Sequence, residues 1–141
     1  MVKVSEVMIP AITVSPDATR KELLNVAKDN PNVELFLVVD SNKSFLGDIH
    51  EDDLFYMILP DDIYEEVGAD IAFDIERKFF AKTAKEVMRK HDVKCEPDDD
   101  IMDVALEMMR EQISQIPVVN HWGVVQGVIT QGMILRRLDT D

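Results

Sequence analysis

The chain has 141 residues and a formal net charge of −13, which arises from 15 lysines and arginines against 28 aspartates and glutamates. Hydrophobic residues make up 46% of it, so the composition favours one folded domain and excludes a wholly disordered chain. The acidic charge argues against nucleic-acid polymers and anionic membrane surfaces as partners, because both attract basic patches. With Cys95 as the single cysteine, the chain has neither an internal disulfide nor a cysteine-based zinc site.

The sequence has no apolar run near the ~20 residues that a membrane-spanning helix requires. Residues 1–6 also lack the long apolar core of a signal peptide. We therefore expect a cytoplasmic protein that makes no membrane contact.

The first half of the chain, residues 1–59, predicts the element order β-α-β-β-α. A short apolar strand over 11–14 comes first. The triplet Ser15-Pro16-Asp17 then predicts a helix start, because serine can cap a helix and proline is tolerated at its first position. Two strands over 35–39 and 45–49, and a helix over 51–59, complete this half.

Residues 60–82 form a linker that is both acidic and apolar. A helix is predicted over 61–67, with Gly68 ending it, and a second helix over 71–80. The linker is too apolar to extend freely into water, so we expect it to pack on the module or on a second subunit.

The second half, residues 83–141, repeats the same order of elements. A strand is predicted over 92–95, and Glu96-Pro97-Asp98 marks the next helix start. That helix has apolar residues at helical spacing, among them Ile101, Val104 and Met108. Strands over 116–119 and 124–129 and a helix over 131–138 follow.

Four short motifs recur in the same order in both halves, at an offset of 80 or 81 residues. Half a chain buries too little surface to be stable alone, so the two halves are expected to pack sheet to sheet. The predicted fold class is therefore α/β (α+β), with two β-α-β-β-α repeats packed with pseudo-twofold symmetry into one module. The matching pairs are Glu6-Val7-Met8 with Glu86-Val87-Met88, Pro16-Asp17 with Pro97-Asp98, Val38-Val39 with Val118-Val119, and Gly47-x-Ile49 with Gly127-x-Ile129.

With these motifs, the sequence resembles a tandem CBS-domain protein, a paired regulatory module of the cystathionine-β-synthase type. The resemblance implies two repeats in one disc-like module, with clefts between them that often bind adenosine nucleotides or S-adenosyl compounds. It also implies a homodimer. The segments that carry the resemblance are Val4-Ser5-Glu6-Val7-Met8, Ala84-Lys85-Glu86-Val87-Met88, Gln115-Ile116-Pro117-Val118-Val119 and Gly127-Val128-Ile129-Thr130.

The family's ligand signature is divided between the two repeats. In the family, an apolar residue and proline enter the second strand, and Ser/Thr-x-x-Asp follows the third. Repeat two keeps Pro117 and Thr130 but has Met133 in place of the aspartate, and this cleft would be lined by Val93, Ile116, Pro117 and Thr130. Repeat one keeps the aspartate as Asp53, with His50 in the Ser/Thr position and Leu37 in the proline position. Arg89 lies where the family brings a basic group near the ligand's phosphate.

Each candidate residue also has a purely structural interpretation. Asp53 could be a first-turn carboxylate that complements the helix dipole, and Thr130 could be a helix N-cap. His50 could be a partly buried residue at a strand end, and Arg89 a solvated charge. The run Asp98–Asp100 could hold a hard cation, but its side chains should point in different directions, so no metal site is predicted.

The sequence has no G-x-S-x-G, P-loop or G-x-G-x-x-G motif, so we do not expect an enzyme. The first hypothesis is a regulatory module, a homodimer that senses an adenosine-type nucleotide in an inter-repeat cleft and signals in trans to a protein effector. AMP, ADP, ATP or S-adenosylmethionine would be the regulatory ligand, with no obligatory cofactor. The alternatives are a ligand-free dimerisation or protein-interaction module, and a divalent-cation sensor.

Overall fold

A computed structural model describes residues 1–60, 73–90 and 93–138 of the chain. Its residues group into two compact units. The repeat-one unit consists of Ile12–Ser41 and Leu46–Lys90, and the repeat-two unit of Met1–Ala11, Asn42–Phe45 and His91–Asp141. Across the described ranges, no helix has the length and apolar character needed to cross a membrane.

The repeat-one unit is built on a three-stranded sheet with the strand order β1-β2-β3, in which β1 and β2 run parallel. Every residue of β2 is buried, which explains why its sequence is a continuous apolar run rather than an alternating one. Its core contains Phe36, Ile49 and Met57. The elements are β1 (Ile12–Val14), α1 (Arg20–Asp29), β2 (Leu35–Val39), β3 (Phe45–His50), α2 (Glu51–Ile58), α3 (Phe73–Phe80) and α4 (Ala84–Val87).

The repeat-two unit is built on an antiparallel pair, β4 and β5, in which Gln115 lies opposite Thr130. A register shift between Val118 and Val119 interrupts the pairing. The core of this unit includes Ile101, Ile116 and Ile129. Its elements are a 3-10 helix (Val4–Glu6), α5 (Ile101–Glu111), β4 (Gln115–Val119), β5 (Val125–Thr130) and α6 (Gln131–Arg137). The predicted mixed helix and strand content is confirmed.

The strand predicted over 92–95 is not formed in the described part of that segment. Cys95 makes only an isolated parallel bridge to Val118. Its amide donates to Pro117 O at 3.0 Å, and its carbonyl accepts from Val119 N at 2.8 Å. The pairing stops there because the chain turns at Pro97, which has no N–H to donate.

Both helices after the proline motifs begin later than the sequence predicts. Helix α1 starts at Arg20, and its N-cap is Thr19, whose Oγ1 accepts from Glu22 N at 3.2 Å. Ser15 instead closes a turn, in which its Oγ accepts from Asp17 N at 3.2 Å. Helix α5 is likewise capped by Asp100. Ser-Pro-Asp also suits a β-turn, so the same signal fitted a turn and a helix start.

The linker prediction is only partly covered by the structure. Helix α3 lies within the predicted range 71–80. The helix predicted over 61–67 and the stop at Gly68 lie outside the described residues.

The first segment of each half of the chain belongs to the unit of the other repeat. Val4 is buried in the repeat-two core, and its amide donates to Asp99 O at 2.9 Å. Val87 is buried in the repeat-one core, and Ala84 N donates to Ala18 O at 2.9 Å. The recurring Glu-Val-Met motif therefore supplies one apolar segment to each core.

The recurring glycines explain how these segments reach the sheets. A Cβ at Gly47 would lie 2.6 Å from Arg89 O, and a Cβ at Gly127 would lie 2.4 Å from Ile9 O. Both distances are impossible for a real side chain, so each glycine admits the backbone of the incoming segment. Val128 N donates to Ile9 O at 2.9 Å across this contact.

We predict that Gly127→Ala destabilises the protein by about 1–3 kcal/mol, because its methyl group would meet backbone that cannot move aside cheaply. The matched control is Gly132→Ala. There the new methyl would meet only the flexible end of Arg136, at 3.0 Å, and alanine favours the helix. Urea unfolding measures both variants, and equal stabilities would contradict the role assigned to Gly127.

Candidate functional site

Three of the candidate residues lie together in the repeat-one unit, around the carboxylate of Asp53. Asp53 lies in the first turn of α2 and is 0% exposed. Its Oδ2 accepts from the His50 backbone N–H at 2.8 Å. Its Oδ1 accepts from Arg89 Nη2 at 2.9 Å and Nε at 3.2 Å. The structure thus brings Asp53, His50 and Arg89 together in the repeat-one unit.

The sequence interpretation missed a fourth member of this cluster, Lys78 on α3. Its Nζ lies 2.8 Å from Asp53 Oδ1, and the residue is only 4% exposed. In the sequence, Lys78 occupies an apolar position of the linker helix, three residues after Ile75 and directly before Phe79. A lysine at such a position was the available signal, because a buried lysine needs a carboxylate partner.

The ionisation of Asp53 follows from these contacts. Burial opposes the charged form, but the hydrogen bonds from Lys78, Arg89 and the His50 amide outweigh it and hold the Asp53 pKa below its ordinary 3.8. Three N–H donors, two from Arg89 and one from Lys78, converge on Oδ1, and the His50 amide donates to Oδ2. Asp53 therefore ties α2, α3 and the segment after α4 together.

His50 and Arg89 remain more accessible than Asp53. His50 is the N-cap residue of α2, and its Nε2 lies 4.0 Å from Oδ1 of the buried Asp48. Arg89 pairs through its backbone with Asp48 in both directions, at 2.8 and 3.0 Å. The Arg89 side chain is 42% exposed, so its guanidinium contacts both the buried carboxylate and water.

The other four candidates lie in the repeat-two unit. Ile116 and Pro117 are buried in β4, where Ile116 packs in the core and Pro117 O accepts from Cys95 N. Val93 packs against the same core. Thr130 ends β5 and caps α6, with its Oγ1 accepting from Met133 N at 3.2 Å.

A cation lies on the helix that this threonine caps. The guanidinium of Arg136 packs over Gly132, so that a Cβ there would lie 3.0 Å from Nη2 and 3.2 Å from Nη1. Gly132 follows Thr130 by two residues, within the first turn of α6. The first turn of α6 therefore combines a hydroxyl, a residue without a side chain and a positive charge.

The two units use one position differently. His50 and Thr130 each end a strand and cap the helix that follows, and the third helical residue is Asp53 in one unit and Met133 in the other. Met133 has no carboxylate that could bind cations. The buried charge cluster accordingly exists in the repeat-one unit without a counterpart at Met133.

The acidic run Asp98–Asp100 has divergent contacts. Asp99 accepts from Glu96 N at 2.8 Å, Asp100 caps α5, and Asp98 lies 3.6 Å from Lys3 Nζ.

Burial, followed by the nearby charge of Asp99, raises the pKa of the Cys95 thiol to about 12. Among the described residues, no group of three or more His, Cys, Asp or Glu is placed to hold a metal ion. His91 lies outside the described residues.

We predict that Asp53→Asn destabilises the protein by about 3–5 kcal/mol, because it removes the buried carboxylate that both Lys78 and Arg89 contact. Adding Lys78→Met should restore part of this loss, since the double variant no longer buries a charge at position 78. Asp52→Asn, an exposed change in the same helical turn, is the matched control and should have little effect. Urea unfolding at neutral pH measures all three variants.

The lowered pKa of Asp53 also predicts how the free energy of unfolding changes with pH. A carboxyl whose pKa is lower in the folded state stabilises the fold above its ordinary pKa and loses that contribution as the pH falls below about 4. Unfolding free energies of wild type and Asp53→Asn should therefore converge at acid pH. Parallel curves for the two proteins would contradict the assigned ionisation.

The CBS domain family model matches residues 4–60 and 84–140, well over half of the chain. A search of curated proteins found no match. A CBS domain of a CBS-domain-containing membrane protein from Sphaerobacter thermophilus is 25% identical, with a TM-score of 0.73 and coverage of 100% of this chain and 90% of that one.

Two other solved structures share the fold at lower identity. CBSX2 in complex with AMP is 18% identical, with a TM-score of 0.75 and coverage of 96% and 95% of the two chains. The CBS domain pair of protein MJ0100, in complex with 5′-methylthioadenosine and S-adenosyl-L-methionine, is 23% identical, with a TM-score of 0.71 and coverage of 96% and 94%. CBS pairs are generally regulatory, non-catalytic modules. The resemblance found in the sequence is confirmed, and this chain belongs to the CBS domain family with two CBS repeats.

Proposed function

We propose that this chain is a non-catalytic regulatory CBS pair that binds an adenosine-type nucleotide and signals in trans to a protein effector. Relatives of the same fold crystallised with AMP and with S-adenosyl-L-methionine support this class of ligand. AMP, ADP, ATP or S-adenosylmethionine would act as a regulatory ligand, and no obligatory cofactor is needed. We propose the cytoplasm as its location, where these compounds are available.

The observation that carries the proposal is the position of the Arg136 guanidinium over Gly132, in the first turn of the helix that Thr130 caps. The chain has a net charge of −13, so phosphate needs a local cation to approach it. Arg136 supplies that charge, and Thr130 supplies a hydroxyl donor. We therefore assign the nucleotide to the repeat-two residues Val93, Ile116, Pro117 and Thr130, with the polar contact at Thr130.

The competing candidate site lies in the repeat-one unit and consists of Asp53, His50 and Arg89. Asp53 is 0% exposed and is held by Lys78, Arg89 and the His50 amide, so a ribose hydroxyl could reach it only at the cost of rearranging these contacts. Arg89 is the accessible member and could contact a phosphate. This cost is the reason for preferring the repeat-two residues.

Signalling would operate by population shift. A ligand that binds one conformation of the pair more tightly than another increases the population of the first. A protein effector that recognises this conformation then receives the signal. Because the chain is proposed to have no catalytic step, the whole output depends on such a partner.

The test is a thermal-shift screen with AMP, ADP, ATP, S-adenosylmethionine, NAD and Mg²⁺. A ligand at 100 times its Kd adds about 2.7 kcal/mol of stability, which for a domain of this size raises Tm by several degrees. Arg136→Gln should reduce the shift. The matched control Arg110→Gln, at an exposed arginine on α5 that pairs with Glu107, should retain it.

No shift with any adenosine compound would contradict the sensor proposal. A shift that is lost in Arg89→Gln and kept in Arg136→Gln would move the ligand to the repeat-one residues. A shift with Mg²⁺ alone would favour the divalent-cation sensor.

An exposed apolar surface favours a second candidate, a homodimerisation module without ligand. Met102, Leu106 and Met109 recur at helical spacing on α5, and Met109 is 72% exposed. Leu135 on α6 of the same unit is also largely exposed. Such an apolar helix face is typical of a surface that another chain covers.

We predict that Leu106→Glu weakens self-association of the protein at least tenfold, because it places a charge in the centre of this face. Sedimentation equilibrium measures the association. Glu107→Lys, at the adjacent position, is a control for a charge change on the same helix. A wild-type chain that remains monomeric at high concentration would contradict the homodimer.

A further inference from the structure

Trp122, the single tryptophan of the chain, lies in the loop between β4 and β5. The residue is 80% exposed. Asn120 fixes the loop, because its Oδ1 accepts from Trp122 N at 2.9 Å and from Val124 N at 3.0 Å. Gly123 adopts φ of +85°, the left-handed conformation that this tight turn requires. The indole is therefore presented on a fixed backbone.

Trp122 borders a surface depression of about 430 Å³ in the repeat-two unit. We call it the Trp122 depression, and its described lining residues are Glu96, Pro97, Asp98, Asn120, His121 and Trp122. The rings of His121 and Trp122 meet edge to face, with centroids 4.8 Å apart. His121 Nδ1 lies 3.9 Å from Glu96 Oε1, so an aromatic pair and a carboxylate are adjacent.

The chemistry of this depression suits a cation. An indole face attracts a guanidinium or ammonium group through its quadrupole, and a neighbouring carboxylate adds a charge-assisted hydrogen bond. The described lining includes two carboxylates and neither lysine nor arginine. Asp98 is the more exposed of these two carboxylates. Its Oδ1 lies 3.6 Å from Lys3 Nζ, so it already attracts an ammonium group of the same chain. The net charge of −13 attracts basic segments over a longer range.

We propose that the Trp122 depression binds an arginine-bearing segment of a partner protein. Arginine fits better than lysine, because its planar guanidinium can stack on the indole while its edge donates to Glu96. This inference states which kind of side chain the protein effector would present. Its role in regulation rests on the proposed function. The binding itself requires no nucleotide, so the two proposals fail independently.

The test uses a short capped peptide of alternating glycine and arginine, titrated into the full chain at about 0.15 M salt. The fluorescence of the single tryptophan reports directly on its own site. The control peptide has citrulline in place of arginine, which keeps the shape and removes the charge. We expect saturable binding of the arginine peptide and no binding of the citrulline peptide.

Three variants separate this site from general attraction to an acidic surface, with a labelled peptide and anisotropy as the readout. Trp122→Ala and Glu96→Gln should each weaken binding by about fivefold. Glu111→Gln removes an equal charge from an exposed position at the end of α5 and should leave affinity unchanged. Because Trp122 is exposed, its variant should keep the wild-type Tm, and Glu96→Gln provides a second test.

Three results would overturn the proposal. One is unchanged affinity in Trp122→Ala, and another is an equal loss in Glu96→Gln and Glu111→Gln, which would indicate non-specific attraction. The third is equal binding of the citrulline peptide. Nucleotides should raise the Tm of Trp122→Ala and of wild type by the same amount. A failure of the arginine-binding proposal therefore leaves the nucleotide proposal standing.

Discussion

The buried ion pair of Asp53 and Lys78 is the contact on which the repeat-one unit depends. Two charges have been removed from water, and the cost is recovered only because they lie 2.8 Å apart and other donors complete the carboxylate. The pair joins α2 to the linker helix α3, and Arg89 adds the segment after α4. A residue that looks like a ligand acceptor in the family signature is thus committed to holding three segments together.

The two repeats share a backbone plan and differ in chemistry. Gly47 and Gly127 admit a strand-like segment at the same place in each unit, and the caps His50 and Thr130 begin equivalent helices. Position 53 is then a buried carboxylate in one unit, whereas the equivalent position 133 is a thioether in the other. This asymmetry underlies the proposed division of roles, with the buried ion pair in the repeat-one unit and the proposed ligand contact in the repeat-two unit.

Charge governs the proposed interactions as well. A chain of net charge −13 repels phosphate, so the proposed nucleotide contact depends on a single well-placed cation, Arg136. The same acidity favours cationic protein segments, and Trp122 gives that general attraction a specific stacking surface. The negative net charge therefore opposes the binding of a nucleotide and favours the binding of a basic partner.

The sequence by itself determined the repeat, the family and the approximate strands and helices, because hydrophobic periodicity and recurring motifs are local properties of the chain. Through the family signature it also named Asp53, His50 and Arg89 as candidate residues, without placing Arg89 beside the other two. It failed at Ser15, where a turn and a helix start share the same residues, and at Lys78. Only the tertiary structure decided that Asp53 is buried and paired with Lys78 and Arg89, because these two partners lie 25 and 36 residues away along the chain, and no local pattern records such contacts.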